Sequence, residues 1–159
     1  MSEEVYPPEV IALASALHEQ WRNGFDPEPK TGKERIKKNS DGTEGNINVP
    51  FDQLHFDWKK ENLLAGVAAK ASVDKFPLDE DLEKASDYIH EEWMKRNPKE
   101  SWNAHQHVPY VELPDSEKEK DRVQVRMMKD FLKNHSNTIA SGDSSSSSSK
   151  GKSNKCIVC

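Results

Sequence analysis

Apolar residues recur at spacings of three and four in two distant stretches of this chain. Val10, Leu13, Ala14, Leu17 and Trp21 make one stripe, and Leu82, Ala85, Ile89 and Trp93 make another. That period predicts helices with one buried face. Pro7-Pro8 opens the first, because a first helical turn has no use for the N–H that proline lacks, and Asn23-Gly24 is expected to close it. The other opens on Asp79-Glu80-Asp81, where acidic groups meet the positive end of the helix dipole, and stops at Pro98. Two more helices are expected. One runs from about Gln53 to Ser72 and buries Trp58, Leu64, Val67, Ala68 and Ala71, with Gly66 weakening it. The last opens near Ser116, where Ser116-Glu117-Lys118-Glu119 has capping-box spacing, and buries Val123, Met127, Met128, Phe131 and Leu132. Residues 26–48 are rich in Gly, Pro, Lys, Asp and Asn around a single Ile36 and read as an exposed loop.

The two clear stripes belong to an internal repeat. Residue 10 laid over residue 82 places Leu17-His18-Glu19-Gln20-Trp21 on Ile89-His90-Glu91-Glu92-Trp93 without a gap. Further on, Val49-Pro50-Phe51-Asp52-Gln53-Leu54 falls on Val108-Pro109-Tyr110-Val111-Glu112-Leu113. Two units in the same order predict two similar halves, about 8–72 and 79–135, packed face to face so that each covers the stripe the other cannot bury alone. The longer 26–48 loop lies in the first.

The string Val108-Pro109-Tyr110-Val111-Glu112-Leu113-Pro114-Asp115-Ser116-Glu117-Lys118-Glu119-Lys120-Asp121-Arg122, with His90-Glu91-Glu92-Trp93 and Trp102 before it, resembles the signature of the RyR repeat domain, the module named after ryanodine receptors. The resemblance covers roughly residues 8 to 135. In the first half Phe56-Asp57-Trp58-Lys59 replaces the acidic run and no Asp-Arg pair follows. The resemblance implies a mainly α, pseudo-twofold domain with little sheet and no catalytic residues. It also implies a cytosolic interaction and regulatory role, with phosphorylation on a long loop and a nucleotide-like ligand conceivable for such a module. Channel activity does not transfer, since no pore segment is visible.

Composition narrows the picture. Hydrophobic residues make up 33% of the chain and charged ones 32%, a thin core for 159 residues, so part of the chain is expected to stay uncollapsed. The net charge is −5; residues 141–159 set one aspartate against three lysines, which leaves about −7 on the rest. An acidic body argues against nucleic-acid binding, which needs a broad positive face. No stretch approaches the roughly 20 apolar residues of a membrane-spanning helix, and the acidic Met1-Ser2-Glu3-Glu4 start does not read as a secretory signal. Residues 1–7 are expected to be flexible.

Residues 136–159 read as a disordered tether with six serines at 144–149. It ends in Cys156-Ile157-Val158-Cys159, the arrangement of a prenylation box with Cys156 as the lipidated residue. One lipid binds a membrane marginally. Lys150, Lys152 and Lys155 supply a second signal on an anionic surface, at about 1 kcal/mol each. The alternatives are weaker. Zinc needs two more nearby ligands, and a redox pair needs a folded scaffold. These are the only cysteines, so the body forms no disulfide, which fits a reducing compartment.

Several residues invite chemistry. Ser40 follows Lys37-Lys38-Asn39 as a basophilic-kinase site would require. His18-Glu19 and His90-Glu91 suggest acid/base pairs or metal ligands, yet neighbours on a helix do not face each other, so structural hydrogen bonds are the expected role. His105 and His107 alone do not make a metal site. Trp21 and Trp93 are expected in the core, whereas Trp102 and Tyr110, lying in loops, are the candidates for a ligand cleft. Asp121-Arg122 is expected as an ion pair or cap at the junction of the halves. Gly151-Lys152-Ser153 imitates a phosphate loop, but position 146 is serine and no strand precedes it. No nucleophile–base pair, metal set or cofactor motif is defensible. The expected function is a non-catalytic module on the cytosolic face of a membrane, binding an unidentified protein partner, with a nucleotide-sensing cleft as the alternative.

Overall fold

The computed structural model describes residues 5–26 and 32–140, with side chains up to Asn134. It is mainly α. Four helices carry the core: α1 (Pro8–Phe25), α2 (Phe56–Lys75), α3 (Leu82–Arg96) and α4 (Asp115–Ala140). Two strands, β1 (Ile36–Lys38) and β2 (Glu44–Asn46), pair antiparallel between α1 and α2. Helices α1 and α3 each pack on both α2 and α4, and α2 also packs on α4.

The periodic stripes explain α1 and α3. Val10, Leu13 and Ala14 of α1 and Ala85 and Ile89 of α3 are buried, with Leu17 and Leu82 packed against them. The core is completed by Leu63, Ala69 and Val73 of α2 and by Val125 and Met128 of α4. Helix α1 ends at Phe25, one residue past the expected glycine, and Asp26 N–H bonds back to Arg22 O at 2.7 Å.

Helix α2 corrects the expected buried face. Of the expected set Ala68 is buried, but its buried companions are Leu63, Gly66, Ala69, Ser72 and Val73, while Val67 is exposed and Leu64 and Ala71 are half-buried. Small residues, not the larger apolar ones, let α1 approach. A Cβ on Gly66 would lie 2.8 Å from the Val10 carbonyl oxygen and 3.0 Å from Val10 Cγ1. Helix α2 begins at Phe56, later than expected, because Phe51–Gln53 forms a separate short 3₁₀ turn and His55 Nδ1 caps the helix by accepting from Asp57 N–H at 3.1 Å. The capping box expected at α4 is replaced by proline: the Pro114 carbonyl accepts from Glu117 and Lys118 N–H at 2.9 and 3.0 Å. Helix α4 also runs past Asn134 to Ala140.

The expected loop at 26–48 contains a hairpin. Asn39 to Gly42 turns the chain between the strands, with Gly42 at φ +90°, the left-handed conformation open to glycine. Trp58, expected in the core, instead donates its Nε1–H to Asn39 Oδ1 at 2.9 Å and ties the hairpin to α2. Asn48 accepts from Arg22 Nε at 3.0 Å and donates to Lys33 O at 2.7 Å, so the hairpin base is fastened to the end of α1.

Candidate functional site

The two His-Glu-x-Trp segments place their histidines in matching surroundings. His18 Nε2 donates to Val49 O at 2.8 Å, and His90 Nε2 donates to Val108 O at 2.8 Å. A carbonyl only accepts, so Nε2 carries the hydrogen in both. Each ring stacks on the tryptophan three residues further along its helix: Trp21 at 5.7 Å and 16°, Trp93 at 6.0 Å and 15°. Each is crossed by an aromatic ring from a 3₁₀ turn at 6.3 Å and 55°, Phe51 for His18 and Tyr110 for His90. Both imidazoles are buried, and burial pushes His18 below the usual imidazole range against the raising effect of the Val49 bond. These histidines pin the Val-Pro-aromatic turns to α1 and α3. Replacing His18 by alanine is expected to lower stability by about 1–3 kcal/mol, because it orphans the Val49 carbonyl. Urea denaturation measures it, and a loss below about 0.5 kcal/mol would mean that water replaces the bond.

The surroundings diverge beyond the rings. Tyr110 is buried and its hydroxyl donates to Glu83 Oε1 at 2.9 Å; burial first, then this bond, pushes its pKa up to about 12. Arg122 closes on the same carboxylate through Nε and Nη2, both at 2.8 Å, and holds Glu83 below its usual range. Asp121 and Arg122 therefore do not pair with each other, contrary to expectation: successive helical residues point apart. Arg122 joins α4 to α3, and Asp121 turns inward. Glu19 pairs with Arg22 one turn on, at 2.9 Å, while Glu91 is exposed.

Asp121 is 8% exposed, and His90 Nδ1 lies 3.7 Å from its Oδ2. Burial, reinforced by the Glu117 charge, pushes its pKa up to about 7. His90 Nε2 is committed to Val108, and its Nδ1 faces Asp121.

A cavity of about 510 Å³ opens where the four helices meet. Leu17 of α1, Ala65 of α2, Ile89 and Trp93 of α3 and Val123 of α4 supply its apolar lining. Gln20, Glu61, Asn62, Arg96, Ser116, Glu119, Lys120 and Gln124 supply the polar part. A smaller cavity of about 120 Å³ shares Trp93, Lys120 and Gln124 with it and reaches His90 and Asp121. Both basic groups of the large cavity are already engaged: Arg96 with Glu61 at 3.2 Å, and Lys120 with Glu117 at 3.0 Å. Among the described residues, Gln124 Oε1 is buried and accepts no hydrogen bond.

The residues expected to form a ligand cleft do not line either cavity. Trp102 is 64% exposed and donates to its neighbour Glu100 at 2.7 Å, and Tyr110 is consumed by Glu83. Trp93, expected as core, is the aromatic wall instead. Ser40 lies exposed in the hairpin turn, and its N–H donates to Asp57 Oδ2 at 2.6 Å. A phosphate there would meet Asp57 as well as Lys37 and Lys38. Among the described residues no group of three or more His, Cys, Asp or Glu side chains is placed to hold a metal, and no helix is long and apolar enough to cross a membrane. Cys156, Lys150, Lys152 and Lys155 lie outside the described residues.

Sequence reasoning missed Gln124, Glu61 and Gln20. The signal was in the mismatches of the repeat. Counted from Pro50 and Pro109, Asn62 stands opposite Asp121 and Ala65 opposite Gln124, and these unequal positions line the cavities. No protein-family model matches the chain, and no curated protein matches it either.

Proposed function

We propose that this chain is a non-catalytic regulatory module of the RyR-repeat kind, in which two pseudo-twofold halves enclose a small-ligand site, and that a lipid on Cys156 tethers it to the cytosolic face of a membrane. The observation that carries the ligand reading is the cavity lined from all four helices. Its volume lies within the range of small-molecule sites, roughly 300–1,000 Å³, and its mixed lining is typical of them. A ligand there touches both halves at once, so its binding energy bears directly on how they pack. The recurring histidine–carbonyl–aromatic geometry supports the pseudo-twofold reading.

The lining also refines the nucleotide expectation. Glu61, Glu117, Glu119 and Asp121 surround the two cavities, and the two cations among them are neutralised by carboxylates. A polyphosphate would face repulsion there, whereas a planar, uncharged base would fit beside Trp93. Thermal melts against nucleosides and nucleotides test this. A compound at 100 times its dissociation constant adds about 2.7 kcal/mol, so nucleosides are expected to raise the melting temperature and triphosphates are not. Stabilisation by triphosphates alone would reverse the charge argument.

The tether rests on Cys156-Ile157-Val158-Cys159 and the neighbouring lysines. In a eukaryotic host, Cys156→Ser is expected to abolish incorporation of a labelled prenyl precursor and to move the protein from the membrane fraction to the supernatant. Equal label in wild type and variant would remove the tether from the proposal.

A further inference from the structure

The small cavity beside the large one has an unusual balance of hydrogen-bonding groups. Asp121 and Gln124 lie one turn apart on α4, and both line it. Asp121 forms no hydrogen bond shorter than its 3.7 Å approach to His90, and Gln124 Oε1 has no partner at all among the described residues. Gln124 Oε1 is a buried acceptor left unmade, which is costly, and beside it Asp121 is a largely buried carboxyl. The charged groups around Asp121 are Asp87 from α3 and Glu117 and Lys120 from α4, with His90 facing it from α3; His105 in the turn before Tyr110 acts on Glu117. Counting Asp87, Glu117 and Asp121 against Lys120 leaves an excess of negative charge. Lys120 is also turned to Glu117 by its bonds at 3.0 and 3.2 Å. The corresponding place in the first half holds neutral Asn62, so the acidic end exists on one side only.

We infer that the composite cavity is a site for an organic amine, with an apolar or aromatic body against Leu17, Ile89 and Trp93 and an ammonium head in the smaller chamber, donating to Asp121 and Gln124. An ammonium brings three donors and no acceptor, which matches the orphaned Gln124 Oε1 and the Asp121 carboxyl one turn away. Trp93 forms a wall of both chambers. The inference rests on the ligand cavity proposed above and specifies its chemistry. It carries a proton signature. The bound cation favours ionised Asp121, whose pKa is pushed up to about 7 when the site is empty, so binding near neutral pH releases protons from Asp121.

The test is calorimetric titration of the full chain with three indoles of similar size: tryptamine, 3-ethylindole and indole-3-propionate. Tryptamine is expected to bind about 10- to 100-fold more tightly than the neutral compound, as a charge-assisted bond in a buried site implies. The carboxylate is expected to bind least. Repeating the tryptamine titration in buffers of different ionisation enthalpy should reveal the released proton. Asp121→Asn, which copies the side chain of Asn62, should abolish both the preference for the amine over 3-ethylindole and the proton release. If 3-ethylindole binds and tryptamine binds no better, or if Asp121→Asn leaves the preference intact, the amine assignment fails and the cavity reading stands. If none of the three binds at millimolar concentration, both fail.

Discussion

Leu13→Ala is expected to lower the unfolding free energy by about 3–5 kcal/mol. Leu13 is completely buried and sits at the centre of a cluster to which all four helices contribute. Removing its isobutyl group loses the transfer energy of the deleted carbons and leaves a void between α1 and its two neighbours. Rigid helices collapse into such a void only in part. A single domain has about 5–15 kcal/mol of stability in total, so the variant should be close to its unfolding threshold at body temperature. Urea denaturation should show a lower midpoint with the slope preserved. The matched control is Val67→Ala on the exposed side of α2, expected to change stability by less than about 0.5 kcal/mol. Comparable losses from both would place the core on the wrong face of α2.

Asp121→Asn is expected to change the pH dependence of stability. An aspartate raised to about 7 in the fold and near 3.9 when unfolded binds more protons in the native state across that interval. Stability therefore falls as pH rises from about 4 to about 7, and the full penalty is present above. About three units at 1.36 kcal/mol each set a ceiling of roughly 4 kcal/mol. Asparagine removes the ionisation, so the variant should gain on wild type as pH rises and be the more stable protein at pH 8. Urea midpoints measured from pH 5 to 8.5 decide it. Parallel profiles for the two proteins would mean that Asp121 is ionised throughout this range.

Much of the helical frame was legible in the chain. The stripes at Val10–Trp21 and Leu82–Trp93 work because large apolar residues on one face bury only one way. Helix α2 was legible as a helix but not in its orientation. There the contact with α1 depends on close approach at Gly66, and hydrophobicity gives small residues little weight. The hairpin was hidden because its strands are polar and three residues long, held by Asn39, Asn48 and Trp58 through hydrogen bonds that no periodicity reports. Its one local sign was Asp41-Gly42, a turn dipeptide. The cavity was illegible for a different reason: Gln20, Glu61 and Gln124 read as ordinary solvent-facing positions, and only the crossing of four helices brings them together. Loop aromatics drew attention instead, although Tyr110 is used up by Glu83 and Arg122. The first half answers that polar trio with Phe51, Ile11 and Leu63, so three positions differ together and each change makes sense only beside the other two.

The missing side chain at position 66 has a consequence for how such a chain can change over generations. By the same count from the paired prolines, valine 125 occupies the place of Gly66. A gene that replaced its first unit with a second copy of its own later one would put a branched residue where the Val10 backbone leaves room for none. The joint between the first two helices could not close. At this one contact the two segments are therefore not spare parts for one another.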